Sequence, residues 1–279
     1  SVWADDREYK YIVTDKFIVR EVGATIEQRI ANAKWISPTE DDKIFCLGDM
    51  IDRGPDPVRV MQTVRSLPGV TVLMGNHEDL MLNYFAHPGD HLSVVNWAIN
   101  GGKMTVTGLE AIPSDDAVEL VNWAGTLPRW SYAQVNGRYY LLCHAGLRPS
   151  SFKARKAWSD ASVEALLKAQ DPDDLVWIRE EFWSVPTGLV GEDGLGPIVV
   201  AGHTPTPYLN VMTDLIDRPT RNDDGIAQMV RVGACDATGG VADRWDIDCG
   251  AAGGAGFGQV MVLRLDDGEE FCEPIREGE

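Results

Sequence analysis

The stretch Gly48-Asp49-Met50-Ile51-Asp52-Arg53-Gly54 decides the fold of this chain, together with Gly75-Asn76-His77-Glu78 a short helix later. Each stretch follows an apolar run of strand length, KIFCL at residues 43–47 and VTVLM at residues 70–74. Both runs carry β-branched residues and lead into glycine, which is typical of buried strands. Side chains just past the carboxyl ends of neighbouring strands in an α/β sheet converge on one crevice. We therefore expect the two stretches to meet.

The crevice would hold two aspartates, an arginine, an asparagine and a histidine. Oxygen and nitrogen ligands of this kind suit a hard or borderline divalent metal. A fixed guanidinium beside them suits the oxygens of a phosphoryl group. The residue types alone therefore indicate a metal site that faces a phosphate.

The segment between the two stretches reads as a helix that joins parallel strands. Asp56 is in the position of a helix cap, and Pro57 is at the first helical position. Pro68-Gly69 ends the helical pattern. A strand, a helix and a second strand in this order form a βαβ crossover, and such a crossover implies parallel pairing.

Two further strands deliver histidines. Residues 130–135 and 138–143 alternate in polarity around Asn136-Gly137, a pair that favours a two-residue β-hairpin turn, and the second of these strands leads into His144. The run IVVA at residues 198–201 leads into His203. Both histidines therefore follow strand ends, as the first two stretches do.

The stretches GDMIDRG and GNHE resemble the GDxxDRG and GNHE signatures of the PPP-type metallophosphoesterases. These include serine/threonine protein phosphatases, the phage lambda phosphatase and symmetrical dinucleoside tetraphosphate hydrolases. HAG at residues 144–146, WIRE at 177–180 and GHTP at 202–205 are similar to further segments of these phosphatases. The likeness covers residues 16–265. It implies an α/β chain (of the α+β sandwich type) with the calcineurin-like metallophosphoesterase fold, a central mixed β-sandwich flanked by helices.

The resemblance implies a pair of divalent metal ions. Asp49 would bridge the two ions, and Asn76, His144 and His203 would complete the ligands of the second one. Manganese is our first expectation for the metal, with iron, zinc, nickel and magnesium as alternatives, because these ligand types do not choose among them.

The resemblance also implies the residues that act on the substrate. His77 would protonate the leaving-group oxygen, and Asp52 would orient its imidazole. Arg53 and Arg179 would hold the non-bridging phosphate oxygens, where charge is carried in the transition state.

The first strand departs from the family pattern, because the GDxHG motif expected there is absent. We expect residues 16–20 (KFIVR) to form the first core strand, which makes Glu21 the nearest carboxylate for the first metal and gives Gly23 the family's distance to Asp49. The other alignment gives this role to Asp15. Neither alignment supplies the usual histidine, so the first metal site is expected to be weak or empty.

The chain is expected to form a single domain over residues 1–279, with a polar, turn-rich insertion at the rim of the site around residues 206–244. Its 279 residues, 44% of them hydrophobic, suffice for one α/β domain with a full core. We expect residues 259–265 to close that core as the final strand.

Charge and composition indicate which partners and which cellular location to expect for this chain. A net charge of −18 argues against nucleic acid or an anionic membrane as the main partner. No apolar run approaches the roughly 20 residues of a membrane span, and residues 1–6 lack the pattern of a signal peptide. The five scattered cysteines do not indicate a disulfide framework. We expect a cytoplasmic protein, and the oligomeric state cannot be read from the sequence.

The expected activity is hydrolysis of phosphomonoesters, either phosphorylated proteins or small aryl phosphates, by in-line attack of a metal-bound hydroxide. The first alternative is a dinucleoside polyphosphate hydrolase, which shares the same motifs. The second is a catalytically weakened, phosphatase-like binding protein, which the altered first strand would explain.

Overall fold

The computed structural model describes residues 11–14, 42–149, 155 and 157–278. Its strands are β1 Tyr11–Thr14, β2 Lys43–Cys46, β3 Val70–Val72, β4 Trp130–Val135, β5 Arg138–Cys143, β6 Ile198–Ala201, β7 Val230–Val232, β8 Arg244–Asp246, β9 Gln259–Arg264 and β10 Glu269–Pro274. Its α-helices are α1 Pro57–Ser66, α2 Asn76–Ala86, α3 His91–Ile99, α4 Lys103–Glu110, α5 Ser114–Ala124, α6 Asp160–Lys168, α7 Asp174–Trp177 and α8 Glu180–Trp183.

The strands of the described residues form two five-stranded sheets. The first sheet has the order β10-β9-β1-β2-β3, with β1, β2 and β3 parallel and β9 antiparallel to its neighbours. The second has the order β4-β5-β6-β8-β7, in which β5, β6 and β8 are parallel and the two edge strands are antiparallel. Both sheets are mixed, and the predicted α/β sandwich is confirmed.

The strands contribute to two different cores, because successive side chains of a strand point to opposite faces of its sheet. In the first sheet, Phe45 lies in the core between the sheets, whereas Cys46 lies in the core under helices α1–α5. In the second sheet, Leu142 lies between the sheets, whereas Leu141 lies in the core under α6–α8. The result is a helix, sheet, sheet and helix arrangement.

Local signals placed several elements correctly. The Asp56 side chain caps α1 by accepting a hydrogen bond from the Arg59 amide at 3.3 Å, and Pro57 is the first helical residue. The crossover from β2 to β3 is parallel. The hairpin pairs Val135 with Arg138, and its turn residues Asn136 and Gly137 have φ of +52° and +81°. These values suit a type I′ turn.

Other elements differ from the sequence predictions. The expected first core strand at residues 16–20 lies outside the described residues and stays a prediction. Strand β1 at Tyr11–Thr14 pairs with β2. The prediction that residues 259–265 form the last strand is wrong, because β10 follows and pairs with β9 along its whole length. Helix α2 begins at Asn76, and α4 is an additional helix that the sequence did not indicate.

Residues 206–244 contain the 3-10 turn Thr206–Val211 and strand β7, which forms one edge of the second sheet. Their assignment as a rim insertion stays a prediction. In the described part of the chain, no helix has the length and apolar character needed to cross a membrane.

Candidate active site

The two motif loops touch each other through their glycines. A Cβ atom on Gly48 would lie 2.5 Å from the Gly75 amide nitrogen, and one on Gly75 would lie 2.3 Å from Asp49 Oδ1. Any larger residue would push the loops apart. The carboxyl ends of β2 and β3 are thereby held close enough for their polar side chains to meet.

The side chain of Glu78 links the same two loops by hydrogen bonds. Its carboxylate accepts hydrogen bonds from the amides of Asp49, Met50 and Gly75 at 2.8, 2.7 and 2.9 Å. Burial, reinforced by the nearby Asp49 carboxylate, raises the pKa of Glu78 from 4.5 to about 7, although the backbone donors oppose the shift. The sequence analysis gave this residue no role, although it stands inside the GNHE motif.

Backbone strain is concentrated at this place. Among the described residues other than glycine, positive φ occurs at Asp49, Asp52, Arg53, His203 and the hairpin residue Asn136. Such conformations cost on the order of 1–3 kcal/mol each and persist where the surrounding structure imposes them, often at functional sites. Four of these five residues belong to the predicted site, so the backbone marks it independently of the motifs.

Four predicted metal-ligating side chains converge at the junction of the sheets. His144 Nε2 lies 2.9 Å from Asn76 Oδ1, 3.1 Å from His203 Nδ1 and 3.4 Å from Asp49 Oδ1. His203 Nδ1 lies 2.9 Å from Asn76 Oδ1. The ligand atoms of Asp49, His144 and His203 all lie within 4.8 Å of one another.

The chemistry of these atoms fits a metal ion. The Nδ1 atom of His144 donates to the Leu47 carbonyl oxygen at 2.8 Å, so in the neutral ring Nε2 presents a lone pair to the cluster. The Asn76 and Asp49 oxygens are acceptors as well. Acceptors repel one another at this range unless a cation lies among them. Ligand atoms about 2.1 Å from an octahedral ion are about 3 Å apart, close to the distances found here.

His77 lies beside this cluster and is held by Asp52. Its Nδ1 lies 2.6 Å from Asp52 Oδ2, and its amide donates to Asp49 Oδ1 at 3.2 Å. The Nε2 atom of His77 lies 3.9 Å from Asp49 Oδ2. The ring therefore directs one nitrogen to Asp52 and the other towards the metal-ligating side chains, which is the arrangement a proton donor needs.

Two residues that the sequence analysis did not single out also contact Asp52. Trp97 Nε1 donates to Oδ2 at 3.0 Å, and Thr105 Oγ1 lies 2.5 Å from Oδ1. They come from α3 and α4, on either side of Gly101 and Gly102. The paired glycines after a helix were the available signal.

Two arginines complete the site. Arg53 and Arg179 are both exposed, and within the described structure neither guanidinium has a hydrogen bond or an ion pair. Although Arg179 is exposed as a whole residue, the protein packed around its guanidinium lowers the pKa of Arg179 by partial desolvation. The charges of Asp248 and Asp49 act against that shift, whereas the charge of Arg53 adds to it. Two guanidinium groups that have no partner within the described structure, near the predicted metal ligands, form a favourable place for an anion.

Two candidates for the first metal lie outside the described residues, namely Glu21 and its alternative Asp15. Strand β1 ends at Thr14, whose carbonyl oxygen accepts a hydrogen bond from the Leu47 amide at 2.8 Å. Asp15 is the next residue in the sequence. The assignment of either carboxylate to the first metal stays a prediction.

A two-sheet sandwich with carboxylate, amide and imidazole ligands at its junction is the architecture of a metallophosphoesterase. The chain belongs to the calcineurin-like phosphoesterase family, because the family model described as "Calcineurin-like phosphoesterase" matches residues 23–231, most of its length.

Among curated proteins, the chain is 31% identical to a "Bis(5'-nucleosyl)-tetraphosphatase, symmetrical" of Pectobacterium carotovorum over 156 residues, 55% of this chain and 50% of that protein. It is 34% identical over 132 residues to the protein of the same name from Serratia proteamaculans, covering 47% of this chain and 42% of that one. The chain therefore spans about half the length of the curated relatives it matches.

Two solved structures are similar at 15% identity. A protein serine/threonine phosphatase from Saccharomyces cerevisiae has a TM-score of 0.48, with 98% of this chain and 82% of that chain covered. A metallophosphoesterase from Sphaerobacter thermophilus has a TM-score of 0.45, with 96% and 88% covered. At this level the two structures add nothing to the family assignment.

Proposed function

We propose that this chain is a metal-dependent hydrolase of dinucleoside polyphosphates. The observation that carries the reaction is the convergence of Asp49, Asn76, His144 and His203 beside His77. These four side chains would hold the metal. When bound, divalent ions lower the pKa of the attacking water and stabilise the charge of the phosphoryl group during in-line displacement.

The remaining residues of the site act on the substrate directly. His77 would protonate the leaving-group oxygen from Nε2, since its Nδ1 is engaged by Asp52. Arg53 and Arg179 would bind the non-bridging oxygens of the phosphoryl group. Their fixed positive charge would favour the transition state, where these oxygens carry most of the negative charge.

Two observations favour a nucleotide over a simple phosphomonoester. The first is the name of the curated relatives, bis(5'-nucleosyl)-tetraphosphatase. The second is the pair of exposed rings at the mouth of the site. Trp177 is 38% exposed and lies 6.0 Å, edge to face, from the His203 ring, and Tyr208 is 53% exposed and lies near Arg179. Exposed aromatic faces bind nucleobases by stacking.

Incubation with diadenosine tetraphosphate and Mn²⁺, followed by chromatography of the products, tests the proposal. We expect nucleotide products that depend on the metal, and loss of turnover in His77→Asn. The matched control is His87→Asn, because His87 is exposed at the end of α2, away from the cluster. Absence of any nucleotide product with every divalent ion would refute the proposal.

Phosphomonoesterase activity is the second candidate, because the free arginines and His77 suit a terminal phosphoryl group equally well. Turnover of p-nitrophenyl phosphate without turnover of diadenosine tetraphosphate would favour it. If saturating metal supports turnover of neither substrate, the weakened binding protein becomes the better description.

A further inference from the structure

We propose that Trp97 and Thr105 are positioning residues that hold the Asp52 carboxylate, and through it His77, for the protonation of poor leaving groups. The inference rests on the proposed phosphoester hydrolysis and not on the identity of the natural substrate. It is carried by the geometry of three buried side chains, His77, Trp97 and Thr105, that hydrogen-bond to one carboxylate.

Thr105 has a fixed hydrogen-bond direction. Its Oγ1 accepts the amide proton of Asp52 at 3.0 Å and lies 2.5 Å from Asp52 Oδ1. Because the carboxylate oxygen is an acceptor, the hydroxyl proton of Thr105 lies between Oγ1 and Oδ1. Thr105 is wholly buried, so no water competes for this bond. The residue thus fixes both the backbone and the side chain of Asp52.

Trp97 can only donate, because the indole nitrogen has no acceptor lone pair. Its Nε1 lies 3.0 and 3.2 Å from the two Asp52 oxygens. The indole is 2% exposed and packs 4.9 Å from the ring of Tyr84. A Cβ atom on Gly102 would lie 2.6 Å from Nε1, so a glycine is required there for the indole to reach Asp52.

The hydrogen bonds to Asp52 define the orientation of His77. Both Trp97 and Thr105 donate to Asp52, so its carboxylate acts as an acceptor. His77 Nδ1, 2.6 Å from Asp52 Oδ2, therefore donates to it. The Nε2 atom of His77, which faces Asp49, becomes the nitrogen that gives its proton to the leaving group.

The contribution of this arrangement depends on the leaving group. A phenolate or an alkoxide needs a proton as it departs, whereas p-nitrophenolate is stable without one. Loosening Asp52 should therefore slow the hydrolysis of phenyl phosphate more than that of p-nitrophenyl phosphate. A general loss of folding or of metal would slow both to the same extent.

The test compares Thr105→Val with Thr105→Ser in the full chain at saturating Mn²⁺. We expect Thr105→Val to lower kcat for phenyl phosphate about tenfold, as losses of supporting hydrogen bonds do, and kcat for p-nitrophenyl phosphate less than twofold. Thr105→Ser keeps the hydroxyl and should restore both. Thr63→Val is the control, since Thr63 is a buried threonine of α1 whose hydroxyl bonds only its own helix. Equal losses on both substrates would overturn the inference.

A second readout needs no turnover. In the metal-free protein, the His77 Nδ1 proton should give a downfield proton resonance that is absent in His77→Asn. Thr105→Val and Trp97→Phe should move this resonance upfield, and Thr63→Val should not. An unmoved resonance in both variants would overturn the inference. If the wild type hydrolyses neither the two esters nor diadenosine tetraphosphate, the proposed function fails, and the resonance still decides whether Trp97 and Thr105 position the pair.

Discussion

The carbonyl oxygen of Leu47 accepts a hydrogen bond from His144 Nδ1 at 2.8 Å. Leu47 follows β2 in the first sheet, and His144 follows β5 in the second, so this bond crosses the junction of the sandwich. It fixes the ring orientation of His144 and directs its Nε2 atom to Asn76 and Asp49. The geometry of the predicted metal ligands therefore depends on how the two sheets pack, and not only on the loops that carry the motifs.

The position of β1 beside β2 makes Asp15 our expected ligand for the first metal. Asp15→Asn should remove one equivalent of tightly bound Mn²⁺, whereas Glu21→Gln should bind metal as the wild type does. Plasma mass spectrometry after gel filtration gives the stoichiometry, and titration calorimetry gives the affinity, which should fall at least 10-fold in Asp15→Asn. Loss of an equivalent in Glu21→Gln alone would instead support the alignment based on Gly23.

The absence of a side chain at Gly101 leaves the space that the Arg53 side chain occupies. A Cβ atom there would lie 2.7 Å from Arg53 Cγ, and Gly101 has φ of +102°. We expect Gly101→Ala to displace the guanidinium and to raise the inhibition constant of inorganic phosphate about tenfold. Gly89→Ala is a matched control, because Gly89 has φ of +92° and open space around it. The control should show the backbone cost, about 1 kcal/mol of stability, with unchanged phosphate inhibition; the reverse pattern would contradict this role of Gly101.

The variant Trp177→Ala should affect the KM for a dinucleotide substrate more than the KM for a simple phosphate ester. Because stacking on an aromatic ring contributes about 1–3 kcal/mol per base, Trp177→Ala should raise KM for diadenosine tetraphosphate about tenfold and leave KM for p-nitrophenyl phosphate within about twofold. Val211→Ala is the control, since Val211 is 87% exposed on the neighbouring turn and offers no flat face. Equal changes in both KM values would argue against a base at this ring.

The raised pKa of Glu78 predicts a pH dependence of stability in the metal-free protein. Between pH 4.5 and about 7, the folded chain keeps a proton that the unfolded chain has released. The free energy of unfolding therefore decreases as the pH rises through this window. We expect the melting temperature of the wild type to fall more between pH 5 and pH 8 than that of Glu78→Gln, measured by thermal unfolding with a chelator. Glu110→Gln, at an exposed position, should follow the wild type.

The sequence predicted the elements whose signals are local. The apolar runs before Gly48 and Gly75, the Asp56 cap and the Asn136-Gly137 turn each specify a strand end, a helix start or a hairpin within a few residues. The polar residues that follow strand ends then meet because parallel strands share a carboxyl edge. For this reason Asp49 and Asn76 could be expected to meet, whereas His144 and His203, which follow strands of the second sheet, were named through their resemblance to the family motifs.

Features that depend on tertiary packing were missed. Strand β10 carries Glu269, Glu270 and Glu273, so it has no apolar run, and it pairs only at the edge of its sheet. Trp97 and Thr105 are 45 and 53 residues from Asp52 in sequence, and only the packing of α3 and α4 brings them to its carboxylate. No periodicity in the sequence reports such a contact.

The left-handed backbone at Arg53 has a consequence for how this protein would evolve. Its φ of +58° is one that glycine adopts without strain. The side chain has no ion pair within the described structure, so Arg53→Gly would remove few stabilising contacts. By relieving the backbone strain, it would raise the free energy of unfolding by about 1 kcal/mol. Selection for heat resistance alone would thus favour a glycine here, whereas the proposed binding of phosphate by Arg53 would favour the arginine. Heat-selected variants of the chain that carry Arg53→Gly should therefore be more stable and less active.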